Sequence, residues 1–229
     1  MKRRWYIIPI AILLVCVVCA FAVRTTYTDT TGDLSDFQYS AGADLTQALD
    51  TLGEKDAAKV PQKLADGADL IVQAKFGGDR SVTPNAAFAA VQITQVYKGS
   101  ANMCGKQIYV LEDMVVHPEP EFHNIMTAGC YIPLQMDDTY LLYLKRVQFQ
   151  PARKQTEFQK SQYYPYTQSA LGAFRITNTK QTKLFSSTGH YQLKDYSGCD
   201  LPAGKLETID FYNKVRAQVF AQWKISARV

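Results

Sequence analysis

The stretch EDMVVHPEPEFHN, residues 112–124, carries the densest set of chemically capable side chains in the sequence. It places two imidazoles, His117 and His123, and four carboxylates, Glu112, Asp113, Glu119 and Glu121, in one connecting segment. Nitrogen and oxygen donors of this kind suit a divalent cation. The spacing, however, is not the H-E-x-x-H of a zinc-binding helix, and Pro118 and Pro120 oppose any helix that would align the donors. A solvated acidic loop is the favoured reading, with His117, Glu119, Glu121 and His123 the candidate ligands if a metal centre forms.

A second candidate is SQYYPYTQS, where Tyr163, Tyr164 and Tyr166 surround Pro165. Each tyrosine offers an apolar body and a polar tip, which suits a sugar or peptide at a barrel rim. The commoner use of such residues is rim packing with the hydroxyls reaching water. Of the five cysteines, Cys16 and Cys19 sit in an apolar run and read as small hydrophobes. Cys104, Cys130 and Cys199 remain. An oxidising exterior permits one disulfide, and Cys104 with Cys130, each preceding an expected strand, is the candidate pair. No G-x-S-x-G elbow, P-loop, dinucleotide fingerprint or paired-cysteine zinc motif is present, so the chain does not read as an enzyme and implies no cofactor.

Period-two alternation supplies the elements that would position these residues. ADLIVQAKF puts Leu70, Val72, Ala74 and Phe76 on one face of a strand. In VQITQVYKG the face made by Ala89, Val91 and Ile93 is interrupted at Gln95, and the next apolar residue, Val96, lies in the opposite phase. A β-bulge explains the slip, because one inserted residue bends a strand and raises its twist as a small closing barrel requires. Lys98-Gly99 is the expected exit turn. KQIYVLED gives a third strand, and TYLLYLKRV, apolar on both faces, a fourth that should be central and covered on both sides. GAFRIT is the expected fifth strand and KLFSS a short further pairing. Leu45, Ala48, Leu49 and Leu52 predict a short helix stopped by Gly53. Leu206, Ile209, Tyr212, Val215, Val219 and Trp223 predict a C-terminal amphipathic helix.

Residues 5–23 contain no charge and follow Lys2, Arg3 and Arg4. At about 1.5 Å per residue such a run just reaches across a hydrocarbon core of about 30 Å. The basic residues favour a cytoplasmic N-terminus and place the remainder outside. Ala20-Phe21-Ala22 also fits a signal-peptide cleavage site that would release a secreted chain, although the length of the apolar run favours retention. The expected organisation is an N-terminal transmembrane helix over residues 1–24, a juxtamembrane tether with a short helix over 25–67, and a barrel with its C-terminal helix over 68–229. Lys2, Arg3, Arg4 and Arg24 are four of the 25 basic residues, so the remainder carries 21 against 21 acidic residues. A balanced domain without a basic stripe excludes nucleic acid as a partner.

The order ADLIVQAKF, VQITQVYKG, IYVLED, GCYIPLQMDDTYLLYLK and GAFRI resembles a group of extracytoplasmic proteins of Gram-positive bacteria with an OB barrel of the netrin and tissue-metalloproteinase-inhibitor type. The similarity covers about residues 68–177, and it implies the OB-like barrel; together with the helices read from periodicity and from the charge-free run, the expected fold is mainly β, a five-stranded OB-like barrel with a C-terminal amphipathic helix, preceded by one transmembrane helix. Inhibitors of that type chelate a protease zinc through a Cys at the mature N-terminus; here no Cys lies between Cys19 and Cys104, and cleavage after Ala22 would expose Val23. The functional expectation is a membrane-anchored extracytoplasmic module that binds a protein, peptide or cell-envelope glycan. The alternatives are a secreted regulator of an extracellular hydrolase and a metal-dependent enzyme using the His117 loop.

Overall fold

Residues 12–20, 34–42, 44–83, 86–117, 124–127, 129–149, 154–186 and 190–226 are described by a computed structural model of the chain. The chain divides into two units, Met1–Gly32 and Asp33–Val229. In the first, residues 12–20 are helical. No helix of the described residues is long and apolar enough to cross a membrane. The rest of the expected transmembrane run, residues 5–11 and 21–23, lies outside the described residues.

The second unit contains, among the described residues, strands β1 (Gln38–Ala41), β2 (Leu70–Thr83), β3 (Ala86–Lys98), β4 (Gln107–Glu112), β5 (Met114–His117), β6 (Asn124–Thr127), β7 (Thr139–Arg146), β8 (Gln162–Pro165) and β9 (Ala173–Arg175). Its helices are α1 (Thr46–Leu52), α2 (Val60–Gly67), α3 (Glu157–Lys160) and α4 (Leu206–Gln222).

Five strands close a barrel in the order β2-β3-β4-β8-β7, with β7 returning to β2. Every neighbouring pair is antiparallel except β4 and β8, whose parallel pairing aligns Tyr109 with Gln162 and Val110 with Tyr163. The inside is the alternating face read from the sequence. Leu70, Val72, Ala74 and Phe76 meet Ala89, Val91, Ile93, Ile108, Val110, Leu142 and Leu144 in one buried cluster. The slip in β3 is present as two one-residue bulges, since Thr94 and Tyr97 lack partners where the β2 register passes from Ile71 to Val72 and from Gln73 to Ala74. They flank Gln95, the residue at which the alternation fails. Gly99 then turns the chain at φ 115, where a Cβ would also approach Leu70 Cδ1 to 2.7 Å.

β7 is covered on both sides, as its two apolar faces require. Leu142 and Leu144 point inward, while Leu141 and Tyr143 join Val60, Leu64, Phe174, Tyr212, Val215 and Val219 in a second core under α2 and α4. α1 ends at Gly53, which adopts the left-handed conformation and donates to the Leu49 and Asp50 carbonyls. α4 buries Ile209, Tyr212, Val215 and Val219, although Leu206 at its start is exposed.

Three expectations are corrected. The fifth barrel strand is β8, within the tyrosine segment, and GAFRIT instead forms β9, an edge strand paired with β7. KLFSS forms no strand over its described residues; a single Phe185 N–H donates to the Ala203 carbonyl at 2.9 Å. The described part of residues 34–67, expected as a tether with a short helix, contains that helix as α1 but is packed: β1 runs parallel to β6 in a small sheet, β1-β6-β5, and Leu34, Phe37 and Tyr39 are buried against Met114, Val116 and Ile125.

Candidate functional site

The acidic segment divides between the core and the surface. Glu112 continues the inward face of Ile108 and Val110 and is fully buried. Its Oε2 accepts from Arg80 Nε at 2.6 Å, and its Oε1 accepts from the Leu134 N–H at 2.7 Å and the Tyr131 hydroxyl at 3.1 Å. Arg80 reaches it because three residues of β2, Gly77 to Asp79, stand opposite Ala90 alone. Burial lowers the Arg80 pKa, but the adjoining Glu112 carboxylate outweighs that effect and the net direction is up. Asp113 is exposed, and His117 closes β5 opposite Asn124. Glu119, Glu121 and His123 lie outside the described residues. No group of three metal-ligating side chains occurs among the described residues.

The three tyrosines differ in exposure. Tyr163 is buried in the barrel interior, whereas Tyr164 and Tyr166 are partly buried. Tyr166 packs its ring against the end of α2, so close that a Cβ on Gly67 would lie 2.2 Å from it. Lys145 Nζ stands 5.6 Å from the Tyr166 ring centroid. Cys104 and Cys130 are both free thiols: Cys104 is exposed in the β3–β4 turn and donates to the Thr94 carbonyl, while Cys130 is buried in the core under the helices. The expected disulfide is therefore absent, because the two expected strand starts lie in different parts of the fold.

A cleft of about 960 Å³ opens at the end of α4, beside β2 and β3. Across the outer face runs a row of directly paired residues, Gln95, Gln73, Leu141 and Phe174, on β3, β2, β7 and β9. α4 covers the apolar end of the row, where Tyr212 stacks on Phe174 with ring centroids 5.7 Å apart. Beyond the end of α4 the row becomes two amides, and these line the cleft with Tyr97, Gln222, Trp223 and Lys224. Tyr97 sits at a bulge, and its hydroxyl donates to Gln73 Oε1 at 3.4 Å. Burial raises the Tyr97 pKa, so the phenol is a neutral donor. Trp223 is fixed by its indole N–H, which donates to the Tyr143 hydroxyl at 2.7 Å.

The far wall of the cleft is a helix terminus. The Ile225 N–H donates to the Phe220 carbonyl at 2.9 Å and the Lys224 N–H to the Ala221 carbonyl at 3.2 Å. This is a Schellman ending, with Ile225 and Phe220 both packed on the core. Its left-handed position is held by Lys224 at φ 51, where Gly or Asn is the usual occupant. Among the described residues, no carboxylate lines the cleft.

A second buried network was not anticipated from the sequence. Asp200 Oδ1 accepts from Arg175 Nε at 3.1 Å, and Arg216 Nε lies 3.7 Å from Asp200 Oδ2. Burial raises the Asp200 pKa by more than the two guanidiniums lower it. The adjoining cavity, of about 10 Å³, has room for at most one water. The network therefore ties β9 to α4 and offers no space for a substrate. Its signal was Arg216, a charge within the apolar stripe of Ile209, Tyr212 and Val219.

No family model, curated protein or solved structure matches this chain. The cleft is therefore interpreted from its own chemistry.

Proposed function

We propose that this chain is a membrane-anchored, extracytoplasmic binding module of OB type whose ligand occupies the cleft between β2, β3 and the end of α4. The cleft carries the reading. Its volume lies in the range of ligand sites, about 300–1,000 Å³, and polar groups from three elements converge on it beside two aromatic rings. Two bulges and one non-glycine left-handed residue border it, and such backbone irregularities cluster where a fold meets a ligand.

The OB assignment is supported by a five-stranded barrel in which the third and fifth strands pair in parallel. The anchor is supported by the charge-free run 5–23 behind three basic residues, and by the exposed apolar side chains Ile12, Leu13, Leu14 and Val15 on its helical part.

Cys104 provides the test of placement, since it is exposed and the other two cysteines of its unit are buried. A membrane-impermeant maleimide applied to intact cells should label the chain, and Cys104→Ser should abolish the labelling. Labelling that appears only after lysis would place the barrel inside the cell and end the extracytoplasmic reading.

A further inference from the structure

We infer that the ligand held in the cleft is an uncharged glycan chain. The inference rests on the binding-module reading and narrows it to a chemical class. Gln73, Gln95 and Gln222 each present a carboxamide, which offers donors and an acceptor side by side and so matches the paired hydroxyls or the N-acetyl group of a sugar. The Tyr97 and Trp223 rings, with centroids 5.3 Å apart and planes inclined at 47°, add apolar surface with polar edges for the faces of sugar rings.

Other classes fit less well. A peptide captured by strand addition needs an open sheet edge. Along the cleft β2 is paired with both β3 and β7, at Gln95 and Leu141 opposite Gln73, and the edge that β3 leaves beyond Gln92 is interrupted by its two bulges, which break the regular row of donors and acceptors that an added strand would need. A helix laid into a groove needs a stripe of apolar anchors, and among the described residues of the lining only Ile176 and Ile225 supply aliphatic surface. Phosphate-rich ligands call for clustered arginine or lysine, whereas Lys224 is the one cation among the described residues of the lining. An uncharged ligand matches a lining whose described residues include no carboxylate and a single ammonium.

The chain has two tryptophans, Trp5 and Trp223, so a Trp5→Phe background makes fluorescence a reporter of the cleft. Full-length protein in lipid nanodiscs is titrated with chitohexaose, cellohexaose and maltohexaose, each to about 1 mM. At least one should change Trp223 emission saturably. Gln95→Ala, at an exposed position that the fold does not need, should weaken that binding about tenfold while leaving the melting temperature unchanged. Tyr97→Phe, which keeps the ring and removes the donor, should weaken it less.

Binding that Gln95→Ala leaves untouched overturns the assignment of the sugar to this cleft. If none of the three sugars binds but an uncharged, unstructured decapeptide shifts Trp223 emission in a Gln95-dependent way, the glycan inference fails and the binding-module reading survives. If neither sugar nor peptide has any effect, both fail.

Discussion

At the scale of single residues, the buried pair Arg80 and Glu112 shows how a polar cluster read as surface becomes part of the core. Each oxygen of the fully buried Glu112 carboxylate has a donor, and Arg80 also donates to the Leu134 carbonyl at 2.5 Å. Removing one partner would strand the other charge out of water. Arg80→Ala is expected to cost about 3–5 kcal/mol in a denaturant titration, and Arg80→Met with Glu112→Leu distinctly less. The signal for this burial was present in the sequence, because Glu112 shares its phase with Ile108, Val110, Met114 and Val116; carboxylates elsewhere in the same segment obscured it. Cys130 gives a second test. Burial pushes its thiol up to about 12, so the folded chain keeps a proton that the unfolded chain loses near the ordinary value of 9.0. The folded state then binds more protons between about pH 9 and 12, and stability falls as pH rises through that window. Cys130 alone should make the protein about 1.4 kcal/mol less stable at pH 10 than at pH 8. Cys130→Ala should flatten that part of the decline; an unchanged slope would show that the thiol ionises normally in the fold.

At the scale of elements, the long strands were legible because burial imposes a period on them. β2, β3, β4 and β7 have alternating or doubly apolar sequences, and the β3 bulges announced themselves at Gln95. β8 was not legible. It has four residues, one of them Pro165, and its burial depends on a parallel partner, β4, that lies far back in the chain. GAFRIT was mistaken for the closing strand because Ala173 and Phe174 are buried equally well at an edge. β1 was hidden for another reason, since Tyr39 is the one residue of QYSA that is buried. The cleft escaped sequence reading because Gln73, Gln95 and Trp223 converge only once the barrel has closed and α4 has docked. At the α4 terminus, Lys224→Gly relieves a left-handed residue of its Cβ and should raise stability by about 0.5–1 kcal/mol in thermal melts. A loss of stability would mean that the Lys224 side chain holds the terminus through contacts worth more than the strain.

At the scale of the whole unit, three buried clusters among the described residues are stacked in sequence through shared strands. The barrel interior lies on one side of β2 and β7, the helical layer on the other, and the β2–β3 hairpin runs on past the barrel so that Ala87 is buried among the residues of the small sheet. The hairpin is thus a common member of the barrel and its annex, which explains strands of 14 and 13 residues in a barrel whose other members are much shorter. The charge-balanced composition fits this construction. Its most buried ion pairs lie inside, on Glu112 and Asp200, and the described lining of the cleft carries mainly amides, rings and one ammonium.

The seam between β2 and β7 joins Leu70 to Leu144. A ribosome delivers the first of these strands long before the second, so the nascent hairpin must wait with one bare edge, a ready template for mispairing with a neighbouring chain. Such distant closure also slows folding, into the millisecond-to-second range of β-barrels. Whatever machinery first meets this polypeptide therefore encounters an unzipped ribbon, and shielding that ribbon governs how much mature protein accumulates.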